Sequence, residues 1–86
     1  MPEISRFFGI VIRMYYDEHN PPHFHAVYGR EEAQIGIDPI VLLEGNLPNR
    51  ALSMTFEWAA LHQRELSENW KRLRSDQTAR KLPPLR

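Results

Sequence analysis

The sequence has no cysteine among its 86 residues, so disulfide bonds and thiolate metal sites are both excluded. Its longest apolar runs are only a few residues, far short of the roughly 20 that a membrane-spanning helix requires. The N-terminal stretch MPEISRFFGIVIR has an acidic residue ahead of its short apolar run and no small-residue cleavage site, which is not typical of a signal peptide. We therefore expect a cytoplasmic protein that makes no contact with a membrane.

The chain also lacks net charge, with 11 Lys and Arg residues against 11 Asp and Glu residues, but the charges are unevenly distributed. Residues 1–70 carry an excess of acidic side chains, whereas the last 16 residues are strongly basic. A chain of this length has room for one domain, which we assign to residues 1–75, followed by a basic, proline-containing C-terminal tail over residues 76–86. We expect Arg80 and Lys81 in this tail to contact the phosphates of RNA or an acidic partner.

Alternation of apolar residues predicts an antiparallel sheet of three to four strands. The first strand is expected over residues 7–16 and the second over residues 23–28, both rich in aromatic and β-branched residues. Residues 33–37 and 40–45 are expected to form the third and fourth strands, and the short connections favour hairpins. The side chains expected to face the core from the first two strands are those of Ile10, Ile12, Met14, Tyr16, Phe24, Ala26 and Tyr28.

From Pro48 the apolar period changes to that of a helix and continues to about Arg74. We expect one long C-terminal helix, about 39 Å in length, packed on one face of the sheet in an α+β fold. The first half of this helix has a second apolar stripe that includes Met54, Trp58 and Leu61. Because one sheet covers only one stripe, the second indicates contact with the N-terminal segment, a second copy in a homodimer, or a partner protein.

Three of the four histidines lie in the block HNPPHFHA, residues 19–26. If Phe24 and Ala26 face the helix, His23 and His25 lie on the opposite face of the sheet. A single helix cannot cover both faces, so we expect this second face to be open or covered by another chain. The candidate site on it consists of His23 and His25 as catalytic residues and of Arg13, Tyr15 and His19 as binding residues.

Several chemistries are open to these residue types. Imidazoles with pKa values of about 6.5 can exchange protons at neutral pH and an arginine can stabilise a pentavalent phosphate, as in a metal-independent ribonuclease. Aromatic and basic groups can instead bind RNA or a protein without catalysis. Transition-metal binding is a further alternative in which His19 or Asp17 joins the two histidines, but the spacing matches no strong zinc pattern, and we expect no metal or other cofactor. In a purely structural interpretation, the histidines pack the mouth of the hairpin.

The stretches PEISRFFGIVIRMYYDEHNPPHFHAVYG, LLEGNLPNRAL and EWAALHQREL resemble, in this order, the bacterial family named domain of unknown function 4160. The resemblance extends from Pro2 to about Leu73, and HNPPHFHA, EGNLP and EW are its most specific parts. Members are often encoded beside a second small family, domain of unknown function 2442. The resemblance therefore implies a component of a toxin–antitoxin-like pair, which acts by contact with the protein encoded by the neighbouring gene or with RNA. It identifies no catalytic residues, and whether the protein is an enzyme stays open.

Overall fold

A five-stranded antiparallel sheet and two helices make up the protein in a computed structural model that describes residues 3–86. The strands lie in the sheet in chain order, and within the described residues neither helix is long and apolar enough to cross a membrane. The elements are β1 (Glu3–Phe7), β2 (Ile10–Arg13), β3 (His23–Tyr28), β4 (Glu31–Gly36), β5 (Leu42–Gly45), α1 (Asn49–Leu61) and α2 (Gln63–Arg74). The α+β class is confirmed, but the sheet has five strands instead of three to four, and two helices replace the predicted long one.

A tight turn divides the segment 7–16, which the apolar pattern predicts as a single strand. Phe8 and Gly9 both have positive φ, 50° and 81°, as in the two-residue turns whose twist matches that of antiparallel strands. Glycine adopts this conformation readily, but phenylalanine does so rarely and is not a turn signal. The pattern therefore does not indicate the turn, and β1 is the strand that the prediction lacks.

The hydrophobic core lies between one face of the sheet and the helices. The side chains that are fully buried there, as the alternation predicts, are those of Ile10, Ile12, Met14, Phe24 and Ala26. The predictions for Tyr16 and Tyr28 are wrong, since these side chains are 63% and 38% exposed. Strand β2 ends at Arg13 and the chain turns at Tyr16, while Tyr28 is the last residue of β3 beside the next turn. Tyr16 therefore lies beyond the sheet, and Tyr28 lies at the rim of the core, where it lines a concavity with Ala51 and Met54 of α1.

The helical segment is interrupted at His62, which separates α1 from α2. The backbone of His62 has φ −120° and ψ 23°, and its N–H is shared between the carbonyl oxygens of Trp58 and Ala59 at 3.1 and 3.2 Å. The next residue, Gln63, interrupts the apolar pattern, and its side chain donates a 2.8 Å hydrogen bond to the carbonyl of Ile37. This polar anchor fixes the point at which the chain changes direction, so the prediction of one long helix is wrong.

Residues 75–86 return along the edge of the sheet that β1 forms. The backbone N–H of Leu82 donates a 2.7 Å hydrogen bond to the carbonyl of Ile4. The carbonyl of Pro83 accepts a 2.8 Å hydrogen bond from the buried indole of Trp58 in α1. The last segment of the chain thus connects the first strand to the first helix.

A second anchor holds the same segment against α2. The side-chain amide of Asn69, which is buried, makes hydrogen bonds of 2.9 and 2.8 Å with the carbonyl and the N–H of Arg80. Leu85 is also buried against the core, whereas Arg80 and Lys81 are exposed. The basic C-terminal segment therefore packs on residues 3–74 through its backbone and leucines and directs its charges outward.

We expect Trp58→Ala to lower the free energy of unfolding by about 3–5 kcal/mol, because a fully buried indole is lost. Its ring packs against Phe7 and Phe24, with centroids 5.4 and 5.8 Å away. Trp58→Phe keeps much of this packing but loses the hydrogen bond to Pro83, so a smaller loss is expected. Urea unfolding followed by circular dichroism measures both variants.

Leu61→Ala in the same helix is the control and should change the free energy of unfolding by less than about 0.5 kcal/mol, since Leu61 is exposed. Equal losses at the two positions would contradict the packing described here.

Candidate functional site

A row of polar side chains crosses the sheet on the face opposite the core. In the strand register, Arg13 of β2 and Gln34 of β4 are the direct cross-strand partners of His25. Direct partners share a face of the sheet, with Cβ atoms about 4.5–5.5 Å apart. Glu3 of β1 and Glu44 of β5 extend the row to both edges. The structure thus brings Arg13 next to His25, in the neighbourhood that the alternation of the sequence predicts.

At the two histidines this face is covered by the same chain, so the expectation that it is open or covered by another chain is wrong there, whereas Gln34 and Glu44 farther along the face are partly or fully exposed. His23 and His25 are each only 6% exposed. The ring of Tyr15 stands edge-on to His25 with centroids 4.8 Å apart, and the ring of Trp70 in α2 lies 5.4 Å from that of His23. The expectation depended on one straight helix, whereas the break at His62 allows α2 to bring Trp70 against His23.

Glu18 joins the two histidines, although the sequence does not single it out. Its carboxylate oxygen Oε1 lies 3.2 Å from Nε2 of His23 and in close contact with Nε2 of His25. Glu18 belongs to the loop between β2 and β3, whose conformation the apolar periodicity does not determine. The residues expected to join the histidines from this loop are its neighbours Asp17 and His19, which are exposed. The sequence therefore identifies the loop that supplies the side chain between the two histidines, but not the residue within it.

The other nitrogen of each imidazole is held by a fixed acceptor. Nδ1 of His23 is 2.8 Å from the carbonyl oxygen of Pro21, and Nδ1 of His25 is 2.7 Å from Oε2 of Glu32. Because a carbonyl and an ionised carboxylate only accept hydrogen bonds, both Nδ1 atoms carry a proton. In a neutral imidazole the lone pair is then on Nε2. The lone pairs of both Nε2 atoms and of the Glu18 carboxylate therefore converge on one region.

Three converging lone-pair donors have the geometry of a cation site. The ligand atoms of Glu18, His23 and His25 all lie within 4.8 Å of one another. Donors around a tetrahedral zinc ion, at bond lengths of about 2.0–2.1 Å, are roughly 3.3 Å apart. The His23–Glu18 distance of 3.2 Å is similar, whereas the contact between His25 and Glu18 is closer than this spacing. Two histidines and one carboxylate also form the ligand set of catalytic zinc and non-haem iron sites that keep a position open. A backbone carbonyl and a carboxylate on the Nδ1 side are the usual supports of such histidines.

A concavity of about 320 Å³ borders the centre. Glu18 and His23 form part of its wall, so one side of the centre is accessible from the surface. His19, expected as a binding residue, lies on this concavity and not among the converging atoms. The other lining residues are Asn20, Pro21, Gln34, Leu43 and Glu44.

The remaining residues of the sequence prediction lie away from this centre. Lys81 lines a separate cleft of about 740 Å³ that Tyr15 also borders, and Arg80 lines another concavity with Arg72. The side chains expected at a partner interface do not share one surface: Trp58 is fully buried, Met54 is half-buried and Leu61 is 66% exposed. The structure therefore gathers Arg13, Tyr15, His23 and His25, whereas His19 and Lys81 lie only on concavities that members of this group border.

Opposing effects set the pKa of Glu18. Burial raises the pKa of this carboxyl group, but its hydrogen bond with His25 and the charges of His25 and His23 outweigh the burial and hold the pKa below its ordinary value. A pKa lowered by folding means that the ionised carboxylate stabilises the fold above the unfolded-state pKa of about 4.3. This stabilisation is lost as the pH falls through the pKa of the folded state.

Comparison with known families gives one match. The family model described as Domain of unknown function (DUF4160) matches residues 9–71, which is most of the chain and includes Glu18, His23 and His25. No curated protein and no solved structure matches the chain. The resemblance seen in the sequence motifs is thus confirmed, and the chemistry of the site rests on its geometry.

We expect carbon-13 NMR titration of the Glu18 carboxylate, in the presence of a chelator, to give a pKa below the ordinary value of about 4.3. In His25→Ala this pKa should rise, because the hydrogen bond and the charge of His25 are lost while part of the burial stays. His62→Ala, at the helix junction, should leave the pKa unchanged. A Glu18 pKa as low in His25→Ala as in the wild type would contradict the assigned cause.

Proposed function

Because this chain belongs to the DUF4160 family, whose description names no activity, we propose from the site that it binds a divalent transition-metal ion through Glu18, His23 and His25. One observation carries the proposal. Three lone-pair donors converge while the proton of each imidazole is fixed on the opposite nitrogen by Pro21 or Glu32. Such a centre requires positive charge at the point of convergence.

A metal ion meets this requirement with a single ligand. Without it, a proton on Nε2 of His23 or His25 has to supply the positive charge, as in the ion pairs that each imidazole can form with Glu18. A single dication contacts all three donors and leaves both imidazoles neutral.

The donor set favours zinc, nickel, copper or iron(II). Calcium and magnesium prefer all-oxygen coordination, whereas two imidazole nitrogens and one carboxylate oxygen suit the transition metals. Three protein ligands leave a position for water or substrate, and the concavity beside Glu18 and His23 gives access to it. A water molecule on a zinc ion held by Glu18, His23 and His25 would be a nucleophile near neutral pH, so a hydrolytic reaction is the activity that fits this centre best.

The burial of the histidines weighs against the metal-independent ribonuclease. General acid–base catalysis needs an imidazole nitrogen within hydrogen-bonding distance of the substrate. His23 and His25 are both buried, and both nitrogens of each ring already have a partner in the protein. Direct proton transfer to RNA by these rings is therefore less well supported than metal binding.

Metal titration tests the proposed site. Wild-type protein stripped of metal should take up one Co²⁺ or Zn²⁺ ion per chain, and cobalt binding is followed by its visible absorption. His23→Ala, His25→Ala and Glu18→Gln should each lose stoichiometric uptake, because each removes one of three ligands. His19→Ala should retain it, since His19 lies in the same loop but is exposed. Wild-type protein that takes up no stoichiometric cobalt or zinc would refute the proposal.

The hydrogen bond between Glu32 and His25 allows a more specific test in the same metal-binding assay. Glu32→Gln weakens the hydrogen bond that orients His25 and should lower metal affinity by about 10–100-fold. Glu31→Gln changes the same charge at the adjacent strand position, whose side chain lies on the other face, and should leave the affinity unchanged. Equal effects of the two substitutions would show that Glu32 does not support a ligand.

Contact with a partner protein is a second proposal, and the edge strand β5 favours it. Val41, Leu42 and Leu43 are each about 40% exposed at this end of the sheet. An edge strand with exposed aliphatic side chains is suited to pairing with a strand of another chain. In the toxin–antitoxin-like pair that the family resemblance implies, the protein encoded by the neighbouring gene would occupy this edge.

Co-expression with the protein encoded by the neighbouring gene tests this second proposal. The two proteins should elute together in size-exclusion chromatography, and Leu42→Asp should separate them. Leu61→Asp introduces the same charge at an exposed leucine of α1 and should leave the complex intact. Failure of the wild-type proteins to co-elute would remove the proposal.

A further inference from the structure

We propose that the open position of the metal centre takes a phosphoryl oxyanion, which Arg13 and Arg74 hold from two sides. This inference rests on the proposed metal binding and adds the chemical class of the ligand. Two arginines are neighbours of the donor residues and come from different elements, β2 and the last turn of α2. Arg13 is the cross-strand partner of His25, and Arg74 donates to the backbone carbonyl of Glu18; neither lines the concavity that Glu18 and His23 border.

Arg13 is placed beside His25 and has an unused donor. It is the direct cross-strand partner of His25, so the two side chains leave the sheet on the same face. Its Nε–H is buried and has no hydrogen-bond partner among residues 3–86. A buried donor without a partner is destabilising, and a guanidinium group stays charged at all physiological pH values. An anionic oxygen bound next to His25 would supply the partner.

Arg74 is fixed beside Glu18 by two contacts. Its guanidinium group donates a hydrogen bond to the backbone carbonyl of Glu18 and lies over the ring of Trp70, 4.3 Å from the ring centroid. The same Trp70 ring packs against His23. Stacking on the indole holds the plane of the guanidinium group, and most of its five N–H donors stay free for a ligand. Arg74 is exposed, so these donors are accessible.

The charge of the loaded centre favours an anion. A dication and two arginines give four positive charges against the two carboxylates of Glu18 and Glu32, an excess of two. Counting Glu44 on the rim leaves an excess of one, and Glu3 in the same row is paired with Arg6 at 2.9 Å. An excess of positive charge in a concave site concentrates anionic ligands.

The number of contact points favours a phosphoryl group over a carboxylate. The ligand has to reach the metal ion and two guanidinium groups, which are three separate points. A carboxylate has two oxygens in one plane, whereas a phosphate monoester or phosphate ion has at least three in a tetrahedral arrangement. Arginine also pairs with phosphate through two parallel hydrogen bonds, which fixes the orientation of the bound group.

Cobalt-loaded protein provides the test, because a ligand entering the open position changes the visible absorption of the metal. Titration with inorganic phosphate should change the spectrum of the wild type in a saturable way, and acetate should bind more weakly. Arg13→Gln and Arg74→Gln should each raise the dissociation constant for phosphate by about tenfold or more, as expected for a lost charge-assisted hydrogen bond. Arg30→Gln is the control, because Arg30 lies in the turn at the far end of β3 and should have no effect.

The outcomes separate this inference from the proposed function. If cobalt binds stoichiometrically but phosphate leaves its spectrum unchanged, or if Arg13→Gln and Arg30→Gln are equivalent, the oxyanion inference is wrong and metal binding survives. If cobalt does not bind, both fall. Cobalt stoichiometry is measured for every variant, so that a loss of phosphate binding in Arg74→Gln is not confused with damage at Glu18.

A second arm identifies the source of the phosphoryl group. A short single-stranded RNA with a 5′-terminal phosphate and a mononucleotide replace inorganic phosphate in the same titration. Tighter binding of the RNA, weakened by Arg13→Gln, assigns the site to the terminal phosphate of a nucleic acid, because a backbone phosphodiester has only two free oxygens. Equal binding of RNA and mononucleotide assigns it to small phosphate esters, and both results support an oxyanion site.

Discussion

The Glu18 carboxylate lies between two buried imidazoles, and this arrangement determines how the surrounding segments are placed. Glu18 reaches His23 and His25 only because the loop after β2 folds back over the sheet. Arg74 holds the backbone of this loop, and Trp70 covers the adjacent ring of His23. The outer nitrogens are held by Pro21 and Glu32, so both Nε2 atoms face the Glu18 carboxylate. In the proposed metal centre, such fixed donors would reduce the reorganisation that binding a cation requires.

The break at His62 allows one helical segment to serve two purposes. The first helix places Trp58 against Phe24 in the core, and the second brings Trp70 to the histidines on the opposite face of the same strand. Successive residues of β3 therefore contact different helices, because neighbouring side chains in a strand point to opposite faces. Trp70 of the second helix thus contributes to the burial of His23.

The alternation of apolar residues along β2 and β3 predicts which side chains lie on each face of the sheet. It therefore also predicts that Arg13 lies near His25. It fails at Phe8, because a phenylalanine with positive φ carries no turn signal, and it fails at His62, because no proline or glycine marks the break. Glu18 could not be singled out either, since the conformation of an irregular loop depends on contacts with Arg74 and the histidines that form only in the folded chain. The sequence thus predicts the regular strands and helices. It does not predict the positions at which single polar contacts change the path of the chain.

The hydrogen bond from Leu82 to Ile4 has a consequence for the order in which the protein can fold during synthesis. The five strands are joined by hairpins, so they can pair as soon as each has left the ribosome. The edge of β1 and the indole of Trp58, however, keep unpaired polar groups until residues 82 and 83 emerge. A nascent chain stalled before that point would expose a strand edge that can pair with other chains. Residues 82 and 83 therefore protect the β1 edge at Ile4, whereas the opposite edge, formed by β5, keeps its exposed side chains.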